Sequence, residues 1–200
     1  RQRQMCIRDR GGDGTLTSIS HNIDAETPVI GVNSHPIDDD PNGSFGFYMD
    51  SNIDTFSADI VTALSGKAII NQIPRLQAII DTTSGNRFTT DPAMNDLLIA
   101  NTHQYAPSKY HLRRDGNKCR QQSSGLVFST WLGQGAWLNH IIEQNTIEEL
   151  RKKIQSDQIN NHYFVVAREI SHKQRIDQPW SWLDWTDQTT TITSDMHRGY

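Results

Sequence analysis

A chain of 200 residues, 35% of them hydrophobic, can bury the core of one domain or of two small ones. A net charge of -4 with a pI near 6.0 leaves no basic footprint, which excludes nucleic acid and anionic membrane surfaces as expected partners. Two cysteines without paired spacing exclude a disulfide framework and a zinc site, and no apolar run approaches the length of a membrane span. The chain is therefore expected to be soluble and intracellular, in a reducing compartment.

Arg1 to Arg10 carries four arginines and only Met5, Cys6 and Ile7 as apolar residues, a poor strand. A glycine-rich phosphate loop ordinarily follows a buried strand, so this decapeptide is expected to be a non-native lead, with the true strand upstream. Gly11-Gly12-Asp13-Gly14-Thr15 comes next. Its glycines let backbone amides approach a phosphate without interference from a Cβ. Leu16, Ile19 and Ile23 follow helical spacing and put the loop at a helix N-terminus, where unpaired N–H groups favour anions. Asp13 would repel such a ligand unless it binds a metal ion or takes a proton during reaction. It is read as a phosphoryl-transfer residue, with a helix-capping aspartate equally open on the pentapeptide alone.

Val29-Ile30-Gly31-Val32-Asn33 reads as a short buried parallel strand, followed by a polar loop from Ser34 to Gly46. Asp38-Asp39-Asp40 in that loop is read as a solvated turn, because its spacing does not match a calcium loop. Phe56, Ile60, Val61 and Leu64 predict an amphipathic helix over 54–64, stopped by Ser65-Gly66. These elements form an α/β lobe over residues 11–66. From Lys67 the pattern turns extended, and a β-rich domain is expected over 67–200. Within it, 81–92 reads as a turn-rich connection and 94–100 as a strand. Residues 109–122 form a hairpin about Asp115-Gly116, and 123–130 a strand. A helix is expected through Ala136, Trp137, Leu138, Ile141 and Ile142, and another from a Thr146/Glu149 capping box to Gln155. Tyr163 to Ala167 is a buried strand, Pro179 to Trp185 a surface hairpin folded onto the core, and Thr189 to Thr193 strand-like.

In their order along the chain, Gly11 to Thr15, Pro28 to Asn33, Asn95-Asp96, Ser124-Gly125-Leu126, and then Gly133, Ala136 and Trp137 resemble the motifs of ATP-NAD kinases. Ser-Ser-Gly-Leu, and a tryptophan after the alanine, look closest to the divergent mitochondrial-type branch. The resemblance implies a truncated, Rossmann-like α/β nucleotide-binding lobe, then a β-rich α+β C-terminal domain, the chain being a fragment incomplete at both ends. It implies that Asp13 is the general base, taking the proton of the adenosine 2′-hydroxyl of NAD as that oxygen attacks the γ-phosphate of ATP. Gly11, Gly12, Gly14 and Thr15 would cradle phosphates, Asn95 and Asp96 would contact the adenosine portion of NAD, and Ala136 and Trp137 would line its pocket. Asn33, Ser124, Gly133 and Gly135 complete the ATP/NAD-binding set. Mg²⁺ would arrive with ATP, with no side chain expected as a metal ligand. The small-molecule partners would be ATP and NAD, in a homo-oligomer, dimer or tetramer, in the cytoplasm or alternatively the mitochondrial matrix.

Ser124 stands where many relatives place an aspartate, and Trp131-Leu132 and Gly135 replace hydroxyl-bearing or proline positions of the commoner pattern. Three rival readings remain, of which sugar-phosphate kinases of the phosphofructokinase type share the glycine loop only loosely. Diacylglycerol- and sphingosine-type lipid kinases share the glycine loop but usually carry an Asn-Glu pair in the next helix, absent from Leu16 to Asn22. A non-catalytic NAD or NADP sensor would keep the pocket and dispense with the base.

Overall fold

A computed structural model describes residues 12–103 and 105–196; the expected lead, Arg1 to Arg10, and Gly11 lie outside the described residues. The chain divides between Gln72 and Ile73 into two units.

In the first unit, helix α1 (Asp13–Ser20) forms where Leu16 and Ile19 share a face. Strand β1 (Val32–Asn33) runs parallel to β2 (Ser51–Asn52), with Val32 opposite Ser51. The expected five-residue buried strand is thus reduced to two paired residues: Val29 is 50% exposed and Asn33 is the buried residue of β1. A ladder of two residue pairs offers no broad sheet face for neighbouring side chains to cover. Helix α2 (Phe56–Leu64) spans the expected segment, and the chain leaves it through Gly66 at φ +72°. Its apolar stripe is uncovered. Phe56, Val61 and Leu64 are exposed and α2 buries no residue, so the face read as inward meets solvent.

The second unit opens with a small antiparallel hairpin, β3 (Ile79–Asp81) and β4 (Arg87–Thr89), that places a strand inside the expected turn-rich connection. Strands β5 (Asp96–Ile99), β6 (Ser108–Arg114), β7 (Asn117–Ser123) and β8 (Leu126–Ser129) follow. The β6–β7 turn takes positive φ at both Asp115 and Gly116, +47° and +74°, the two-residue geometry that matches strand twist. Strand β9 (Tyr163–Ala167) then pairs with β8, and β10 (Leu183–Thr186) with β9, giving an antiparallel sheet in the order β10-β9-β8-β5. Strand β11 (Thr191–Ser194) pairs with β6 in a second sheet, β11-β6-β7.

The two sheets face each other through Tyr110, Leu112 and Cys119 on one side and Leu126, Phe128 and Val165 on the other. Burial alternates along β6, as a half-buried strand requires, whereas β8 is buried at every residue. The reason is a second apolar layer: Phe164 and Val166 on the opposite face of β9 pack with Leu138, Ile142 and Ile147. Polar groups trapped between the sheets are paired. Tyr110 donates to Gln121 Oε1 at 2.6 Å, with burial pushing its phenol pKa up, and Arg114 meets Asp184 at 2.8 Å.

Several expected elements change form. The helix expected through Ala136 becomes a 3-10 turn, Leu132–Gly135, and a single helical turn, α3 (Leu138–Ile141), because Ala136 takes ψ -103° between them. Helix α4 (Gln144–Lys153) starts before Thr146, whose N–H already bonds the Glu143 carbonyl at 3.0 Å, so the expected capping box does not form. Helix α5 (His172–Asp177), capped by Ser171, occupies a stretch too short and polar to show a periodic apolar face. The aromatic stretch folds onto the core as expected, but as a 3-10 turn, Pro179–Ser181, and strand β10 paired with β9 in place of a hairpin of its own: Trp180 and Trp182, both partly buried, pack on the inter-sheet cluster, and the Trp185 ring lies 4.4 Å from that of Phe164. No helix among the described residues is long and apolar enough to cross a membrane.

Candidate functional site

In the first unit, Gly12 is the N-cap of α1 and makes no side-chain cap, and Asp13 is the first helical residue. The Asp13 carboxylate accepts the N–H of Tyr48 at 2.8 Å, the N–H of Phe47 at 3.0 Å and the Ser44 hydroxyl at 3.1 Å. Ser44 Oγ in turn accepts the N–H groups of Asp13 and Gly46, at 3.1 and 3.2 Å. Asp13 is therefore an anchor for the loop 44–48 and not a cap of its own helix. Gly12 permits this closeness, because a Cβ there would overlap the Ser44 side chain. Asn33 supports the loop from β1: Nδ2 donates to the Ser44 carbonyl at 3.1 Å and Oδ1 accepts the His35 N–H. Gly14 is exposed, with open space around it, and Thr15 is half-buried in the first turn. A cleft of about 220 Å³ opens beside the loop, lined in part by Asn33, Ser44, Gly46 and Ser51, with Asp13 outside its lining.

In the second unit, the structure brings together motifs that lie far apart in sequence. Asn95 and Asp96 lead into β5, and the turn after β8 folds back on them. The Asn95 carbonyl accepts the Thr130 N–H at 3.0 Å, and the Thr130 hydroxyl accepts the Gly133 N–H at 2.9 Å. Gly133 comes so near that a Cβ on it would stand 2.6 Å from Asn95 Cα. Four residues on, the Trp137 N–H donates to Asp96 Oδ2 at 3.3 Å, while the buried Oδ1 has no hydrogen-bond partner among the described residues. Burial pushes the Asp96 carboxyl above the usual carboxylate range, against the Ser129 hydroxyl and then the Trp137 amide, which favour its charged form. Ala136 is half-buried and donates to the Gly133 carbonyl, the Trp137 indole is 36% exposed, and Gly135 has open space around it.

Ser124 does not join Asn95 directly. Its hydroxyl donates to the Glu169 carboxylate and its N–H to the Arg168 carbonyl, while the Arg168 guanidinium lies 5.2 Å from the centre of the Trp137 ring. Ser44, Thr130, Arg168 and Glu169 were missed by sequence reasoning. The available signal for the last two was a pair of charges ending the apolar run Tyr163 to Ala167; an isolated serine or threonine carries none. Asp38 to Asp40 forms a turn in which Asp40 accepts the Asn42 N–H, and among the described residues no group of three or more His, Cys, Asp or Glu could hold a metal ion.

No family model matches the chain. Over 141 residues it is 30% identical to a protein of Oryza sativa subsp. japonica named probable NADH kinase, a match that takes in 63% of this chain and 42% of that protein. The chain thus spans less than half the length of this curated relative. Its fold is similar to that of yeast NADH kinase complexed with NADH, with a TM-score of 0.63 at 15% identity, over 95% of this chain and 48% of that one. It is also similar to an NAD kinase from Archaeoglobus fulgidus in complex with ATP, with a TM-score of 0.55 at 14% identity, over 94% of this chain and 67% of that one. The resemblance to the NAD kinase family read from the motifs is borne out by the sequence match and by the shared fold.

Proposed function

We propose that this chain, which resembles the NAD kinase family in motifs, sequence and fold, transfers the γ-phosphate of ATP to the 2′-hydroxyl of the adenosine ribose of NAD, giving NADP. The observation that carries the reading is the convergence of Asn95-Asp96 on Gly133 to Trp137 across the β6–β7 hairpin. The orphaned Asp96 Oδ1 supports a hydroxyl- or amide-bearing ligand, because a buried oxygen without a donor is costly and a sugar hydroxyl satisfies it. The partly exposed Trp137 indole beside it offers a flat surface to a base or nicotinamide ring.

In this reading Asn95, Asp96, Ala136 and Trp137 hold the dinucleotide, and Ser124, Gly133 and Gly135 shape their surroundings. Gly11, Gly12, Gly14 and Thr15 serve the phosphates of ATP at the start of α1, in a unit read as part of a Rossmann-like lobe. Asp13 accepts the proton of the 2′-hydroxyl. A carboxylate has about four acceptor positions, and three hydrogen bonds from Ser44, Phe47 and Tyr48 hold Asp13 rigidly with one to spare. Mg²⁺ enters as the metal of the ATP substrate and offsets the charge that the carboxylate and the triphosphate bring together. A homo-oligomer, and a cytoplasmic or mitochondrial location, are proposed on the family resemblance alone.

One observation favours a second reading: an Asp13 held by three hydrogen bonds as a loop anchor is also what a non-catalytic NAD(P) sensor would retain. The full-length gene product, given ATP, Mg²⁺ and NAD with an NADP-specific coupled assay, decides. NADP formation supports the kinase; saturable NAD binding without turnover favours the sensor, and phosphorylation of diacylglycerol or sphingosine in place of NAD favours the lipid kinase.

A further inference from the structure

Strand β9 ends at Ala167, and the next two residues carry opposite charges that are kept apart. Glu169 takes a left-handed φ of +51°, uncommon for a residue with a side chain, and its carboxylate accepts the Ser124 hydroxyl. Arg168 is fixed at its root from both sides: its N–H donates to the Gly125 carbonyl at 2.9 Å and its carbonyl accepts the Ser124 N–H at 3.0 Å. Its guanidinium lies over the Trp137 indole and, among the described residues, forms no ion pair. Arg114 shows the alternative in the same unit, a guanidinium whose charge is met by Asp184 at 2.8 Å. A half-buried guanidinium that stacks on an indole but has no anion keeps its planar fork of N–H donors free for one.

We propose that Arg168 is an anion-binding residue that receives a phosphate of the dinucleotide. This rests on reading the Asp96–Trp137 cluster as the dinucleotide site. The chemistry selects the pyrophosphate: a guanidinium fork pairs two phosphate oxygens at once, whereas the nicotinamide ring of NAD is cationic and is repelled by it. Ser124 contributes indirectly, drawing the Glu169 carboxylate to itself and leaving the neighbouring cation unneutralised.

The test uses the full-length gene product as wild type, Arg168→Gln and Arg168→Lys, with NAD binding measured by calorimetry and turnover by NADP formation. Loss of one charge-assisted phosphate contact is expected to raise the dissociation constant and KM for NAD about 10- to 100-fold in Arg168→Gln. kcat and KM for ATP are expected to stay within a few-fold. Arg168→Lys restores part of the loss, because it keeps the charge without the fork. Raising salt weakens NAD binding by the wild type more than by Arg168→Gln. Unchanged NAD affinity in Arg168→Gln, a loss in Arg168→Lys as large as in Arg168→Gln, or an effect on ATP instead of NAD overturns the proposal. A wild type that binds NAD without turnover overturns the kinase reading alone, since the Arg168 variants are then still decided by calorimetry; a wild type that binds no NAD overturns both.

Discussion

Gly133→Ala probes the junction on which the dinucleotide reading depends. An added Cβ would stand 2.6 Å from Asn95 Cα and 2.7 Å from its carbonyl carbon. These are backbone atoms at the entry to β5, and Asn95 is further tied by the Thr130 N–H, so the clash cannot be relieved by turning a side chain. Overpacking of this kind costs about 1–3 kcal/mol, and a rigid backbone neighbour puts this site in the upper part of that range. For a chain of this size about 2–3 kcal/mol lowers the melting temperature by roughly 4–12 °C. Gly135→Ala is the matched control, two residues away, with nothing within 4 Å of its added Cβ, and is expected to melt within about 2 °C of wild type. Thermal unfolding followed by circular dichroism reads both, and calorimetry with NAD follows. Gly133→Ala should also lose NAD affinity. Equal melting of the two variants would refute the close approach of Gly133 to Asn95.

Three further predictions address the framework. Gly46→Ala places a Cβ at φ +66° and 2.5 Å from Asn33 Nδ2, and is expected to destabilise the first unit by about 1–3 kcal/mol in chemical denaturation; a neutral result contradicts the loop geometry. Asp184→Ala strands the Arg114 guanidinium, whose side chain is 2% exposed. Because Asp184 itself is 36% exposed and the Trp180 carbonyl still holds Arg114, a loss of about 2–3 kcal/mol is expected, below the ~3–5 kcal/mol of a wholly buried pair. Asp96 gives a pH signature: its carboxyl is raised in the fold, so the native state binds more protons than the unfolded chain as pH rises above 3.8, and this group lowers stability there. Asp96→Asn is therefore expected to gain melting temperature relative to wild type as pH rises from about 4 to 7, and a difference independent of pH would refute the assignment.

What the sequence made legible is where local chemistry decides structure. Asp115-Gly116 predicts a tight hairpin because few other residue pairs take positive φ twice, β8 reads as a strand between small residues, and β9 reads as a buried strand because its apolar run does not alternate. The order of glycine motifs located the Asn95–Gly133 region, but its closeness depends on a Cβ being absent opposite a backbone, which no spacing reveals. The helix through Ala136 was misread because its apolar residues fit helical spacing while one ψ angle interrupts the run. The stretch Pro179 to Trp185 read as a hairpin of its own, since the pairing of β10 with β9, a strand from elsewhere in the chain, leaves no local signal. Asp13 illustrates the limit most clearly: its residue type suggested proton transfer, and its hydrogen bonds to residues more than thirty positions away show an anchoring role beside it.

Asp13→Asn in the full-length gene product tests the central claim most directly. The amide keeps an acceptor for the loop 44–48 but is no base, so NAD binding should persist while NADP formation falls about 10²- to 10⁴-fold. Equal turnover in wild type and Asp13→Asn would contradict the account and leave Asp13 as a structural anchor alone.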